Sequence, residues 1–166
     1  LTATVDGAAI VLDLGCIGLP LSSAALFGAA VPLELELGVG KGRFMLERAA
    51  AHREVGLLGV ERARRYVELA ARRAARAGLA NVRLVHTTAE DVLFRCLRES
   101  SVAAVHVYFP DPWPKKRHHK RRFFRPETVA RVAEVLLPGG VLRIKTDHQE
   151  YAAVIAEVLR GEARLE

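Results

Sequence analysis

Glu36, Glu61 and Asp111 each stand where an apolar run of strand length gives way to a turn. A carboxylate so placed is costly to desolvate unless a positive or hydrogen-bonding group meets it, so each is a candidate ligand contact. Glu36 leads into Gly38-Val39-Gly40-Lys41-Gly42, after which the residues take helical spacing. Glycines there let the backbone turn tightly and approach a ligand, while the helix N-terminus offers free N–H groups to an anion. The loop lacks the Lys-Ser/Thr pair of a nucleoside-triphosphate loop and departs from the full dinucleotide fingerprint. Glu61, closing the next strand, is placed to accept hydrogen bonds from a ribose diol. Taken alone, the loop is equally compatible with a plain tight turn.

A rival set, Asp13-Leu14-Gly15-Cys16-Ile17-Gly18, has the same order of acid and glycines, but Pro20 and two serines follow it instead of a helical pattern. Residues 9 to 18 therefore read as an N-terminal layer or an edge contact.

The second constellation is Phe109-Pro110-Asp111-Pro112-Trp113-Pro114, directly after an almost wholly apolar strand. Prolines on both sides of Asp111 restrict the backbone and remove competing N–H donors, so the carboxylate is held in a stiff frame. Trp113 offers a flat face on which a base can stack. Lys115-Lys116-Arg117-His118-His119-Lys120-Arg121-Arg122 follows, flanked by Trp113, Phe123 and Phe124. Seven of the chain's 25 Lys and Arg lie between Lys115 and Arg125; the other 18 face 19 acids and leave −1 against an overall +6. One segment is basic, not the protein. A solvated face is one reading of it, and the aromatics beside a presumed pocket favour the other, a footprint for nucleic acid.

Those residues need a scaffold. Gly and Pro punctuation divides the chain into expected strands at residues 9–14, 33–37, 55–60, 81–87, 102–109 and 141–146. Expected helices cover 43–52, 62–77, 89–98, 126–137 and 147–159. Short strands alternating with helices predict an α/β fold: a mostly parallel central sheet with helices on both faces. Residues 1–166 fit one domain, with 1–26 a poorly assigned N-terminal segment. With 51% apolar and 27% charged residues the chain is not disordered, and no apolar stretch approaches the ~20 residues that span a membrane. Cys16 and Cys96 are too few for a disulfide scaffold and wrongly spaced for zinc; buried free thiols in a reducing cytoplasm are expected, and no metal is implied.

From about Phe27 to Tyr151 the sequence resembles the bacterial tRNA (guanine-N7-)-methyltransferases, which use S-adenosylmethionine to methylate the variable-region guanine at position 46. The resemblance rests on Leu35 to Gly42, on Gly59-Val60-Glu61, and above all on Phe109 to Arg122. Leu136-Leu137-Pro138-Gly139-Gly140 and Thr146-Asp147-His148 with Tyr151 add to it. It implies a Rossmann-like class I methyltransferase fold, in the cytoplasm, with tRNA as partner. Carried over by motif, Glu36, Gly38, Gly40, Glu61, Thr88, Ala89 and Asp111 are implied cofactor contacts, with Asp111 also catalytic. Lys115, Thr146 and Asp147 are implied substrate contacts, and Arg117, His118, His119, Lys120, Arg121 and Arg122 the segment that meets RNA. Thr88 stands where the family has an aspartate, with Glu90 placed to compensate. The family's C-terminal Thr-x-x-Glu motif has no counterpart before Glu166, and with only Gly161 to Glu166 after the last expected helix the closing hairpin of the sheet is expected to be incomplete. Two other readings stay open: methylation of another base atom, and a catalytically weakened RNA-binding member of the fold. Nothing in the sequence sets the oligomeric state.

Overall fold

The computed structural model describes residues 4–5 and 8–165. In chain order these form β1 (Thr4–Val5), β2 (Ala8–Ala9), β3 (Val11–Leu12), α1 (Ser23–Phe27), β4 (Leu33–Leu37), α2 (Arg43–Ala51), β5 (Gly56–Glu61) and α3 (Arg64–Arg76). Then come β6 (Val82–His86), α4 (Ala89–Asp91), β7 (Val102–Tyr108), α5 (Pro126–Val135), β8 (Leu136–Lys145) and α6 (Gln149–Arg160). The outermost residues of the expected domain, 1–3 and 166, and residues 6–7 lie outside the described set.

Strands β3 to β8 make one sheet in the order β3-β6-β5-β4-β7-β8, and every pairing in it is parallel. Strand β4 is buried on both faces, which explains its odd and even residues separately. Leu33, Leu35 and Leu37 join Val105, Val107, Val129, Val132 and Tyr151 in the core beneath α5 and α6. Glu34 and Glu36 face α2 on the opposite side, where Met45, Leu57 and the alanines of α3 form the second core. Gly59 of β5 permits that second layer to close. A Cβ there would lie 2.6 Å from Val39 Cγ2 and 2.7 Å from Met45 Sδ.

The boundaries differ from expectation in three places. Of residues 9–14, only Val11–Leu12 pairs with β6, as the sheet's edge strand. The helix expected over 89–98 is one α turn that widens into a π-helical turn, Val92–Cys96. The helix expected to reach Leu137 stops at Val135, and β8 starts at Leu136, two residues before Pro138. A proline disfavours helical backbone at the residue before it. Leu136 is already extended and pairs with Val102, ahead of a register shift between Val102 and Ala104. Cys96 is buried, as expected, but Cys16 is exposed.

Candidate active site

Strand order reverses at β4, which has β5 on one side and β7 on the other. In open α/β sheets the crevice outside the C-terminal ends of the strands at such a point is where ligands bind. A cavity of about 600 Å³ opens there. Gly38 and Gly40, Glu61, Thr88 and Ala89, Asp111 and Arg121 all line it. Four separate strand ends thus bring together most of the expected cofactor residues. Glu36 is absent from the wall. A smaller cavity of about 280 Å³, between Phe27 and Asn81, lies at the other end of β5.

Glu36 lies beneath the glycine loop, 3% exposed, and accepts a hydrogen bond from the backbone N–H of Met45 in the first turn of α2. Its Oε2 is buried without a partner. Burial raises its pKa to about 8; the Met45 N–H opposes the shift and the nearby Glu61 charge adds to it. Glu61 accepts from the N–H of Gly40 at 2.9 Å and of Ala63 at 2.8 Å. The carboxylate therefore pins the loop as well as facing the cavity, and its remaining lone pairs are what a diol would use. Gly40 reaches it in the left-handed region, φ 54°, where a side chain would be strained.

At the end of β6, Thr88 caps α4: its hydroxyl accepts from the N–H of Asp91 and bonds the Asp91 carboxylate at 3.0 Å. Thr87 donates to the same carboxylate at 2.9 Å. The charge nearest Thr88 is thus Asp91, three residues on. Glu90 lines the cavity and faces Arg125 at 3.7 Å.

Beyond β7, Phe109 and Trp113 both hold left-handed backbone, φ 52° and 43°, and bracket Pro110-Asp111-Pro112. Such conformations persist only where the surroundings over-determine them. Phe109 N–H donates to the carbonyl of Lys145 at 2.8 Å, tying the turn to the end of β8. Asp111 accepts from Arg62 at 3.0 Å. Lys116–Arg121 forms a 3₁₀ helix, with His118 edge-on to Trp113 and Arg121 stacked over the Trp113 ring, 5.0 Å from its centroid. Lys115, Lys116, Arg117 and Lys120 are exposed; His118 and His119 are half-buried.

Arg122 departs from the expected RNA-facing set. It is 4% exposed and turned inward onto the Pro112 carbonyl, the Glu150 carboxylate and the Tyr151 ring. A guanidinium finds its acceptors and a stacking face there, so burial costs little. Thr146 Oγ1 accepts from the N–H of His148, and Asp147 is exposed; neither lines the cavity.

Sequence reasoning missed Arg62, Arg65 and Tyr66, which line the cavity together with Phe123, an aromatic expected beside the pocket. It also missed a buried polar network under α2. Arg48 donates twice to Glu34, at 3.0 and 2.6 Å; His106 Nε2 lies 3.0 Å from the same carboxylate and its Nδ1 3.0 Å from the Tyr108 hydroxyl. Burial pushes the Glu34 carboxyl up, but hydrogen bonds and charge from His106 and Arg48 outweigh it, leaving a pKa of about 2. The available signal was Glu34 itself, an acid in a strand too apolar to leave one face in water.

The cavity fits S-adenosylmethionine. Its volume falls in the range of cofactor sites. Acceptors on Glu61 and Asp111, which both line the cavity, suit a ligand with hydroxyls and positive charge. Tyr66, Phe109 and Phe123 supply aromatic walls.

Residues 30–166 match a protein-family model described as "Putative methyltransferase". The chain is 46% identical over 148 residues to a tRNA (guanine-N(7)-)-methyltransferase of Mycobacterium avium, covering 89% of this chain and 57% of that protein. A Bordetella parapertussis protein of the same name is 44% identical over 146 residues, with 88% and 58% covered. The chain thus spans little more than half the length of these relatives. Among solved structures, an S-adenosylmethionine-dependent O-methyltransferase from Thermotoga maritima superposes with a TM-score of 0.61 at 17% identity, over 83% of this chain and 47% of that one. A 30S ribosomal A1408 methyltransferase from an uncultured bacterium gives 0.57 at 18%, over 76% and 60%. At these identities the likeness shows a shared Rossmann-like α/β fold.

Proposed function

The chain belongs to this methyltransferase family, and from that premise we propose that it transfers a methyl group from S-adenosylmethionine to N7 of guanine in tRNA, at position 46, in the cytoplasm. One observation carries the reading: Glu61, Thr88 and Asp111 meet around a single cavity with a basic helix at its rim.

Glu61, the Gly38–Gly40 loop and the Thr88–Ala89 turn would hold the cofactor, with Glu36 supporting the loop from below. Bound there, the cofactor supplies an electrophilic methyl on a sulfonium. Guanine N7 carries a free lone pair and no proton, so no general base is required of the protein. Its work is alignment and electrostatic support. Asp111 holds the base by accepting from guanine N1–H and the exocyclic amine, and its charge offsets the positive charge that builds on the ring. Trp113 and Arg121 flank the base, while Lys115, Lys116, Arg117 and Lys120 position phosphates.

The test is mass analysis of nucleosides from tRNA incubated with the protein and S-adenosylmethionine, alongside calorimetry with the cofactor alone. N7-methylguanosine with cofactor uptake is expected. A methylated exocyclic amine would move the target atom. Absence of cofactor binding would leave an RNA-binding member of the fold.

A further inference from the structure

Arg122 sits in the most cationic stretch of the chain and is the one member of it turned away from solvent. It is 4% exposed, while Lys115, Lys116, Arg117, Lys120 and Arg121 are all open. Its Nε donates to the Pro112 carbonyl at 2.7 Å and its terminal nitrogen to Glu150 Oε1 at 2.9 Å. The guanidinium carbon lies 4.9 Å from the centroid of the Tyr151 ring. Tyr151 is itself buried, and its hydroxyl accepts from the N–H of Phe124, so the platform under Arg122 is fixed.

We propose that Arg122 is a positioning residue that clamps the Pro-Asp-Pro-Trp turn, and so the Asp111 carboxylate, onto helix α6. This rests on the reading of Asp111 given above. Pro110, Pro112 and Pro114 have no N–H, so the turn offers few handles by which the fold can hold it. Two are used. Phe109 N–H is held by the carbonyl of Lys145, and the Pro112 carbonyl is held by Arg122. Asp111 lies between these two fixed points, flanked in the chain by Pro110 and Pro112, with the exposed Arg62 pair as the contact of its carboxylate. Arg122 N–H also donates to the carbonyl of His119, which attaches the 3₁₀ helix to the same anchor. Phosphates bound by Lys116, Arg117 and Lys120 would therefore sit at a fixed offset from Asp111. A lysine cannot replace this arrangement, because one ammonium lacks the planar fork that reaches a carbonyl and a carboxylate while lying on an aromatic face.

The experiment compares Arg122→Lys, Arg122→Gln and Glu150→Gln in the purified protein. Trp113 is the only tryptophan, and it adjoins Pro112, so acrylamide quenching of its fluorescence reports the turn directly. In Arg122→Lys, with Arg121 intact, quenching is expected to rise, and the single-turnover rate at saturating tRNA and cofactor to fall about tenfold or more, as small misplacements of a reacting geometry do. In Arg122→Gln the slope of log tRNA affinity against log salt should stay unchanged. A phosphate contact would instead lower it by roughly 0.7 to 0.9 and leave saturated turnover intact, with lysine restoring binding. Glu150→Gln changes a side chain 58% exposed and should move quenching and turnover in the same direction by less. Should Arg122→Gln fail to fold, the other two variants still decide. Unaltered quenching with full turnover in Arg122→Lys overturns the proposal. Failure of the unsubstituted protein to methylate tRNA would sink the proposed function instead, and the quenching comparison would still test the clamp.

Discussion

Arg62 and Asp111, 49 positions apart in sequence, join across the mouth of the cavity through a 3.0 Å ion pair. Arg62 follows Glu61 at the end of β5, and Asp111 follows β7, so the pair bridges the two strands on either side of β4. Both side chains are about two-thirds exposed, at 65% and 63%. Exposed pairs of this kind are worth only ~0.2–1 kcal/mol, so an entering base can displace Arg62. Arg62→Ala is expected to raise turnover at sub-saturating tRNA by up to about fivefold, the equivalent of that upper value. A fall in the same assay would mean that Arg62 contacts RNA rather than restraining Asp111.

Asp111→Asn keeps the size of the side chain and removes its charge. Loss of one preorganised electrostatic contact to a developing charge typically costs about 10²–10³ in rate. Turnover should fall by that order in single-turnover assays, with tRNA affinity nearly unchanged because phosphates supply most of the binding free energy. Turnover like that of the unsubstituted protein would remove Asp111 from the reaction.

Two buried glutamates on β4 titrate in opposite senses. Glu36 has its pKa raised from 4.5 to about 8, so the stability it contributes is present below pH 4.5 and is lost as pH rises toward 8. Glu34, lowered to about 2, contributes stability above pH 4.5 that is lost as pH falls through 2. Between pH 4.5 and 8, urea unfolding should show stability declining with a limiting slope of roughly 1.4 kcal/mol per pH unit. Glu36→Gln should flatten that decline. A decline that survives the substitution assigns it to another group.

Lys116, Arg117 and Lys120 are open cations on one short 3₁₀ helix. Replacing all three by alanine should lower the slope of log tRNA affinity against log salt by about 2 to 3. Lys115→Ala, next to the Pro-Asp-Pro-Trp turn, should reduce both affinity and turnover. An unchanged salt slope in the triple variant would show a solvated face.

The sheet was legible because its signals are local. Leu33–Leu37 alternates, β5 runs from Gly56 to Glu61, and Asp111 sits where an apolar strand meets prolines. The convergence of Glu61, Thr88 and Asp111 follows from that order, since each lies at or just past the C-terminal end of a parallel strand. The inward turn of Arg122 was not legible. A run of basic residues reads as surface, and what turns one arginine in is the Pro112 carbonyl ten positions earlier together with Glu150 and Tyr151 about thirty positions later. Likewise Arg62 met Asp111, and Glu34 met His106, through sheet order and not through spacing. Leu136 leaves its helix ahead of the end at Leu137 expected from Pro138, and pairs with Val102 across the sheet.

The buried contact of Arg48, Glu34 and His106 bears on how this sequence can drift. Removing one member of a buried pair strands the other and costs about 3–5 kcal/mol, whereas exchanging the set for apolar residues of similar volume is often neutral. Glu34 and His106 are buried while Arg48 is half-buried, so single substitutions at 34 or 106 are expected to cost the most, and the three positions are expected to change in concert. An alignment of relatives should show them covarying, with apolar residues at 34 and 106 together and acid at 34 only beside a basic or imidazole partner. Independent variation at the three positions would show that water or another side chain can stand in for the missing member.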